Sequence, residues 1–441
     1  MPRNAHFTPH HEPLVQVPSL ELRHRQVSGP FSFFNPTRAH FRHVSRGNFL
    51  SSDDEKVHDL EERAEEGDEQ LADNIGFKWR ARDNRKGRHT LVVDPVVDSG
   101  PAHYIVPPKT TSLRAILKGC KRMLTQYPYW NISWLVAVIF TWGSIIWVIN
   151  AFFVWLPLVR PSSEFPDESY TAGGVTAFVG ATVFELGSIL LMFEAVNENR
   201  SGCFGWALEQ VVQEHSGEKG RLIRVRPDMN GCTHHHTNKR NLVGRSSVMP
   251  KSTKHTSTSS SSSPDPPPSK PDASAEDGRS WVWFPSWYEL RTHYLREMGF
   301  LASLAQFLGA TIFWISGFTA LPNVVSQTDQ PLLDGVFWTP QVVGGTGFII
   351  SGVLFMLETQ PKWYVPALGT LGWHIGFWNF IGAIGFTLCG ALGYSTNSGA
   401  DYEANLATFW GSWAFLIGSV IQWYEAMDQN PVEEKKGASS S

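Results

Sequence analysis

Six stretches of this chain are apolar on every face: Ile132–Val159, Thr171–Val196, Phe300–Leu321, Val336–Leu357, Trp373–Leu392 and Ala404–Tyr424. Each runs for about 20 residues or more with almost no charge, and a helix needs about that length to cross the hydrocarbon of a bilayer. Helices of soluble proteins are seldom apolar on all sides over such lengths, because one face meets water. The pattern predicts an all-α membrane protein of six transmembrane helices. Trp130, Trp134, Trp155, Trp338, Trp373, Trp410 and Trp423 fall near the ends of these runs, at the headgroup depth where an amphipathic indole settles.

The polar stretches divide the remainder. Residues 1–111 are rich in Arg, His and Pro up to Leu50, acidic over Asp53–Asp73 and basic over Lys78–Arg88. So few apolar residues cannot offset the entropy of ordering, which predicts a disordered cytosolic tail. Residues 112–129 differ. Leu113, Ile116, Leu117, Cys120, Met123 and Leu124 recur at helical spacing among Arg114, Lys118, Lys121 and Arg122, after Ser112 as cap. This basic amphipathic helix either lies on anionic lipids or packs on the protein's own inner segments.

Transmembrane hairpins are expected at 130–200, at 281–360 behind the aromatic segment Trp281–Tyr288, and at 361–427. Residues 201–280 read as a cytosolic loop in which Phe204–Glu214 prolongs the second helix and Ser246–Gly278 is a disordered Ser/Pro linker. Residues 428–441 form a short tail. The loops Arg160–Tyr170, Pro322–Gly335 and Gly393–Glu403 contain a single basic residue, Arg160, whereas Arg200, Arg221, Lys239, Lys362 and Lys435 fall on the other side. Both termini are therefore expected in the cytosol, with the protein in the plasma membrane or another membrane of the secretory pathway. Met1–His10 lacks the apolar segment of a cleavable leader, so the first span is expected to act as the insertion signal.

Composition matters only after this division. The net charge of −4 and the slightly negative mean hydropathy average polar ends with an apolar remainder. The four cysteines, Cys120, Cys203, Cys232 and Cys389, are too scattered for a disulfide framework.

The even-numbered spans repeat a pattern. Gly180–Ala195, Gly344–Thr359 and Gly411–Ala426 place Phe184, Phe348 and Phe415 alike, and each ends on a glutamate: Glu194, Glu358 and Glu425. Parallel two-helix repeats follow, with Gly143, Gly180, Gly187, Gly309, Gly344, Gly382, Gly411 and Gly418 as close-packing positions between helices. Mitochondrial carriers also have three such repeats, but their Pro-x-[Asp/Glu]-x-x-[Lys/Arg] signature is missing here. The Phe-x-x-Gly-Ser hairpin resembles the YrhK-like domain. Residues 104–430, with their aromatic inserts and Ser-rich loop, resemble uncharacterised multi-pass integral membrane proteins of filamentous fungi. That resemblance implies a membrane protein and brings no catalytic residue.

Candidate chemistry is sparse. Glu185 is the one ionisable residue deep in a span, and burial there calls for protonation or a polar partner such as Asn150, Gln306 or Asn379. It reads either as a proton or cation relay or as a clamp between helices. Glu194, Glu358 and Glu425 close helix C-termini, where the dipole disfavours negative charge. They call for partners at the interface, either indole N–H groups or arginines of the inner segments, which would make them a latch; a cation or lipid-headgroup site is the other reading. Cys232-Thr-His-His-His lacks a second ligand pair for a metal, and Cys120 and Cys203 are candidates for palmitoylation. His374 reads as an interfacial hydrogen-bonder. No hydrolase, nucleotide-binding or metalloprotease motif occurs. The sequence thus predicts no enzyme, no metal or cofactor, and no nucleic-acid partner. The expected partners are the bilayer, anionic lipids and cytosolic proteins that engage the tail and the Ser-rich loop. A non-catalytic membrane scaffold is the first expectation, and a small-solute or ion transporter with a path near Glu185 the alternative.

Overall fold

The computed structural model describes residues 20–22, 24–43, 75–87, 90–93, 104–105, 112–198, 200–205, 207–208, 281–326, 329–427 and 433–434. Among the described residues, six helical segments are long and apolar enough to cross a membrane: Ile132–Val159, Glu168–Val196, Met298–Thr319, Gln330–Thr359, Leu371–Leu392 and Ser398–Ala426. Helices are labelled α1 (Ala81–Arg85), α2 (Leu113–Thr125), α3 (Ile132–Val159), α4 (Gly174–Val196), α5 (Trp287–Thr292), α6 (Met298–Thr319), α7 (Thr339–Thr359), α8 (Leu371–Leu392) and α9 (Ser398–Ala426). The second span opens on a π-helical turn, Glu168–Gly173, ahead of α4, and the fourth has one at Asp334–Trp338, between the α-helical turn Gln330–Leu333 and α7.

The six long helices form a closed ring in chain order, α3 on α4, then α6, α7, α8 and α9, with α9 returning to α3. Small residues set how closely they approach. A Cβ on Gly344 would lie 2.6 Å from Cβ of Phe313, and one on Gly382 would lie 2.7 Å from the Phe415 ring. Gly143 admits Phe184 and Gly180 admits Trp147 in the same manner. Lipid gives no hydrophobic reward for helix association, so this shape fit supplies the packing energy.

One aromatic ring from each helix meets on the axis: Trp147, Phe184, Phe313, Phe348, Phe386 and Phe415, none more than 5% exposed. Trp147 stands edge-on to Phe386 at 4.8 Å between centroids, Phe386 to Phe415 at 5.4 Å, Phe184 to Phe415 at 5.6 Å and Phe313 to Phe348 at 5.6 Å. These are the edge and tilted geometries that ring quadrupoles favour. The belt fills the middle of the bundle.

The described part of residues 1–111 corrects the expectation of a tail without fold. Strands β1 (Leu20–Leu22), β2 (Arg38–His43), β3 (Ile75–Arg80) and β4 (Thr90–Val93) form an antiparallel sheet in that order. β3 and β4 are the arms of a hairpin whose tip is the single helical turn α1. Arg80 is extended, the chain then turns helical, and Gly87 at φ 64° reverses it toward β4, a conformation glycine adopts without penalty. The sheet is docked on the bundle, where its arginines meet carboxylates of the helix ends.

One further boundary differs from expectation. α4 ends at Val196 instead of running on through Phe204. Asn197 stops it by exchanging hydrogen bonds with the backbone of Val282, at 2.8 and 2.7 Å, so the aromatic segment Trp281–Trp283 docks against the helix end. α2 packs by Gly119 and Met123 on Tyr424 and Met427 beside α9 and keeps Leu113, Leu117 and Leu124 exposed. Residues 104–105 pair with 433–434 as a two-stranded ladder.

Candidate functional site

Glu194, Glu358 and Glu425 end α4, α7 and α9 on one mouth of the ring, and the tip of the β3–β4 hairpin sits among them. Positions 82, 85 and 86 share one face of a helical turn, so Arg82, Arg85 and Lys86 all project toward the carboxylates. Arg82 donates from Nε and Nη2 to the two oxygens of Glu425 at 3.0 and 2.7 Å. Arg85 donates from Nε and Nη2 to those of Glu358 at 3.1 and 2.9 Å, and from Nη1 to Glu194. Lys86 Nζ lies 3.8 Å from both Glu194 and Glu425. Three cations thus meet three anions, every member at most 6% exposed.

Stripping water from each of these ions costs several kcal/mol, and only well-made pairs offset it. The guanidinium fork, which matches a carboxylate with two parallel bonds, makes them. Space is reserved for it. A Cβ on Gly372 would meet Arg82 Nε at 2.5 Å, and one on Gly299 would meet Arg85 Nε at 2.7 Å. The Arg85 guanidinium also lies 5.2 Å from the centroid of the Phe355 ring. Burial alone would lower the pKa of both arginines. Glu425 acting on Arg82, and Glu358 with Glu194 acting on Arg85, outweigh it and hold both above the usual value.

A rim of hydrogen bonds fastens the sheet around this cluster. Thr37 Oγ1 donates to the Gln360 carbonyl at 3.1 Å, Arg38 donates to the Thr359 carbonyl, and Asn35 N–H donates to the Arg296 carbonyl at 2.9 Å. Ser201 Oγ donates to the Lys86 carbonyl at 2.9 Å, and Asn84 Nδ2 to Glu198 at 2.9 Å.

The geometry thus places Glu194, Glu358 and Glu425 together, with arginine partners drawn from the N-terminal region and not from the inner segments between spans. Sequence reasoning missed Arg82, Arg85 and Lys86. Their i, i+3, i+4 spacing within the basic block was the available signal.

The four intramembrane polar candidates do not form one group. Glu185 accepts from Thr311 Oγ1 at 3.0 Å on the outer seam between α4 and α6, and not from Asn150, Gln306 or Asn379. Asn150 donates to the Gly173 carbonyl at 2.7 Å and to Thr176 at 3.0 Å, near the far end of the first hairpin. Gln306 and Asn379 do come together. With Ser144, Ser419 and Gln422 they line an axial cavity of about 30 Å³ bounded by the aromatic belt and by Arg82, Arg85 and Lys86, room for one or two waters. His374 bonds the Leu368 carbonyl at 2.8 Å. Cys120 is exposed on α2, while the Cys203 side chain and the Cys232-Thr-His-His-His stretch lie outside the described residues. No family model matches this chain, and no curated protein or solved structure matches it either, so its site is read from its own geometry.

Proposed function

We propose that this chain is a non-catalytic membrane scaffold built from three parallel two-helix repeats, with the plugged mouth and both termini in the cytosol. The observation that carries the reading is an axis closed twice, by the aromatic belt in the middle and by the buried charge cluster at one mouth. A transport path needs polar groups from several hairpins at the midplane, often at broken helices. Here six rings packed edge-on or tilted close the axis at mid-span, the small polar cavity lined by Ser144, Gln306, Asn379, Ser419 and Gln422 is shut between them and the charge cluster, and Glu185 lies off the axis on the outer seam. Support for the repeats comes from corresponding positions: Trp147, Phe313 and Phe386 from the odd spans and Phe184, Phe348 and Phe415 from the even spans all reach the belt. The orientation rests on the distribution of Lys and Arg between the loops.

The scaffold would present the sheet and the segments outside the described residues to cytosolic proteins. The exposed Leu113, Leu117 and Leu124 on basic α2 suit insertion at an anionic leaflet. The test is flux in reconstituted vesicles for the native chain and for Glu185→Gln. No flux of protons or small cations is expected from either, and a reproducible flux abolished by Glu185→Gln would overturn the scaffold in favour of transport.

A further inference from the structure

A second cluster sits beside the charge plug. Glu198 follows α4, His293 follows α5 and Glu297 precedes α6. One ligand atom from each lies within 4.8 Å of the others. His293 Nε2 and Glu198 Oε1 are 3.4 Å apart. Metal bonds of about 2.0–2.2 Å to nitrogen and oxygen in a tetrahedron separate neighbouring ligand atoms by nearly that distance. Both carboxylates are held by amides: Asn84 Nδ2 donates to Glu198 Oε2 at 2.9 Å, and Asn35 Nδ2 donates to Glu297 Oε1. Outer partners of this kind orient the ligands of metal sites. Asn84 supplies an independent sign. It is 1% exposed, and its Oδ1 has no hydrogen-bond partner. Oδ1 shares its amide with the Nδ2 that bonds Glu198, so an unused buried acceptor belongs to a side chain already anchored at the cluster. A burial of that kind is costly unless something satisfies it. The His293 and Glu198 side chains keep 21% and 15% exposure, which leaves a route in from solvent.

We propose that Glu198, His293 and Glu297 bind a divalent transition-metal ion, with Asn84 and Asn35 holding the two carboxylates from outside. Two carboxylates and a neutral imidazole balance a doubly charged ion, and the imidazole favours zinc or its neighbours over magnesium or calcium. Asn84 belongs to the hairpin tip and Asn35 to the segment leading into β2. The ion therefore ties the ends of two spans to the docked sheet and holds the plug in place. The site depends on the docked tip and not on the scaffold reading, and flux bears on only the latter.

The experiment uses the full chain in nanodiscs, with Cys232→Ser, His234→Ala, His235→Ala and His236→Ala as background so that this other candidate ligand group is removed. Zinc is titrated by calorimetry against a chelator of known affinity. One zinc ion per chain is expected, with affinity falling by at least about 10-fold in His293→Ala, Glu198→Gln and Glu297→Gln. The two glutamine variants keep acceptor oxygens for Asn84 and Asn35, and unchanged thermal melting without zinc identifies them as folded. Zinc is also expected to slow hydrogen exchange at Ala81–Gly87 in the background protein and not in His293→Ala. No stoichiometric binding, or equal affinity in the folded glutamine variants, would overturn the site. Binding without any change in exchange at the tip would overturn its coupling to the plug.

Discussion

The axis of this protein is closed in two places by opposite chemistry. At the belt, six rings close it by shape. At the mouth, six charged groups close it by pairing. The belt is assembled from side chains that every helix supplies itself. Its contacts are numerous, each weak, and tolerant of small adjustments. The mouth depends on a segment from outside the bundle. Its glutamates have no apolar alternative once buried, so its stability is concentrated in a few bidentate contacts. A seal of the first kind is built with the helices, and one of the second kind exists only while the hairpin tip is docked.

The largest expected effect falls on the mouth. Arg85→Ala removes the bidentate partner of Glu358 and a donor to Glu194 together, leaving buried carboxylates short of cations. Breaking a buried pair on one side costs about 3–5 kcal/mol, to be read as loss of resistance to denaturing detergent. A variant with the native midpoint would mean that the cluster is not desolvated as described.

The belt should respond less to a comparable intrusion. Gly344→Val places a side chain 2.6 Å from Phe313 and 2.7 Å from the Gly309 carbonyl, and overpacking of this kind costs about 1–3 kcal/mol. The same denaturation series would show it. An effect as large as that of Arg85→Ala would erase the distinction between the seals.

How much of this could be read from the chain differs between the two regions as well. The spans, the close-packing glycines and three of the six belt rings, Phe184, Phe348 and Phe415, follow from hydropathy and spacing, with ends that shift by a turn or two where π-turns or caps decide them, whereas Trp147, Phe313 and Phe386 carry no local signal. Glu194, Glu358 and Glu425 were legible as needing partners, because a helix C-terminus disfavours an unpaired anion. The identity of those partners was not. Arg82 and Arg85 lie 343 and 273 residues from the glutamates they grip, in a stretch whose composition argues against order when taken alone. Docking reversed that reading, because the bundle supplies the counter-charge the stretch lacks. Glu185 misled in the other direction. It is deep in the sequence of its span, yet its helix face is turned to a seam where Thr311 bonds one carboxylate oxygen and the other, Oε2, is buried without a partner.

The smallest effect is expected there. Glu185→Gln keeps a side chain able to bond Thr311, and hydrogen bonds between membrane helices contribute on average about 0.6 kcal/mol. The denaturation midpoint should barely move, and a loss like that of Gly344→Val would bring Glu185 into the packed core.

The docked tip is tested most directly by a double-mutant cycle on Arg82→Ala and Glu425→Ala in the denaturation assay. The bidentate contact at 3.0 and 2.7 Å predicts that the two losses are not additive, with a coupling of about 1–3 kcal/mol between residues in different regions of the chain. Losses that add to within about 0.5 kcal/mol would contradict the plug.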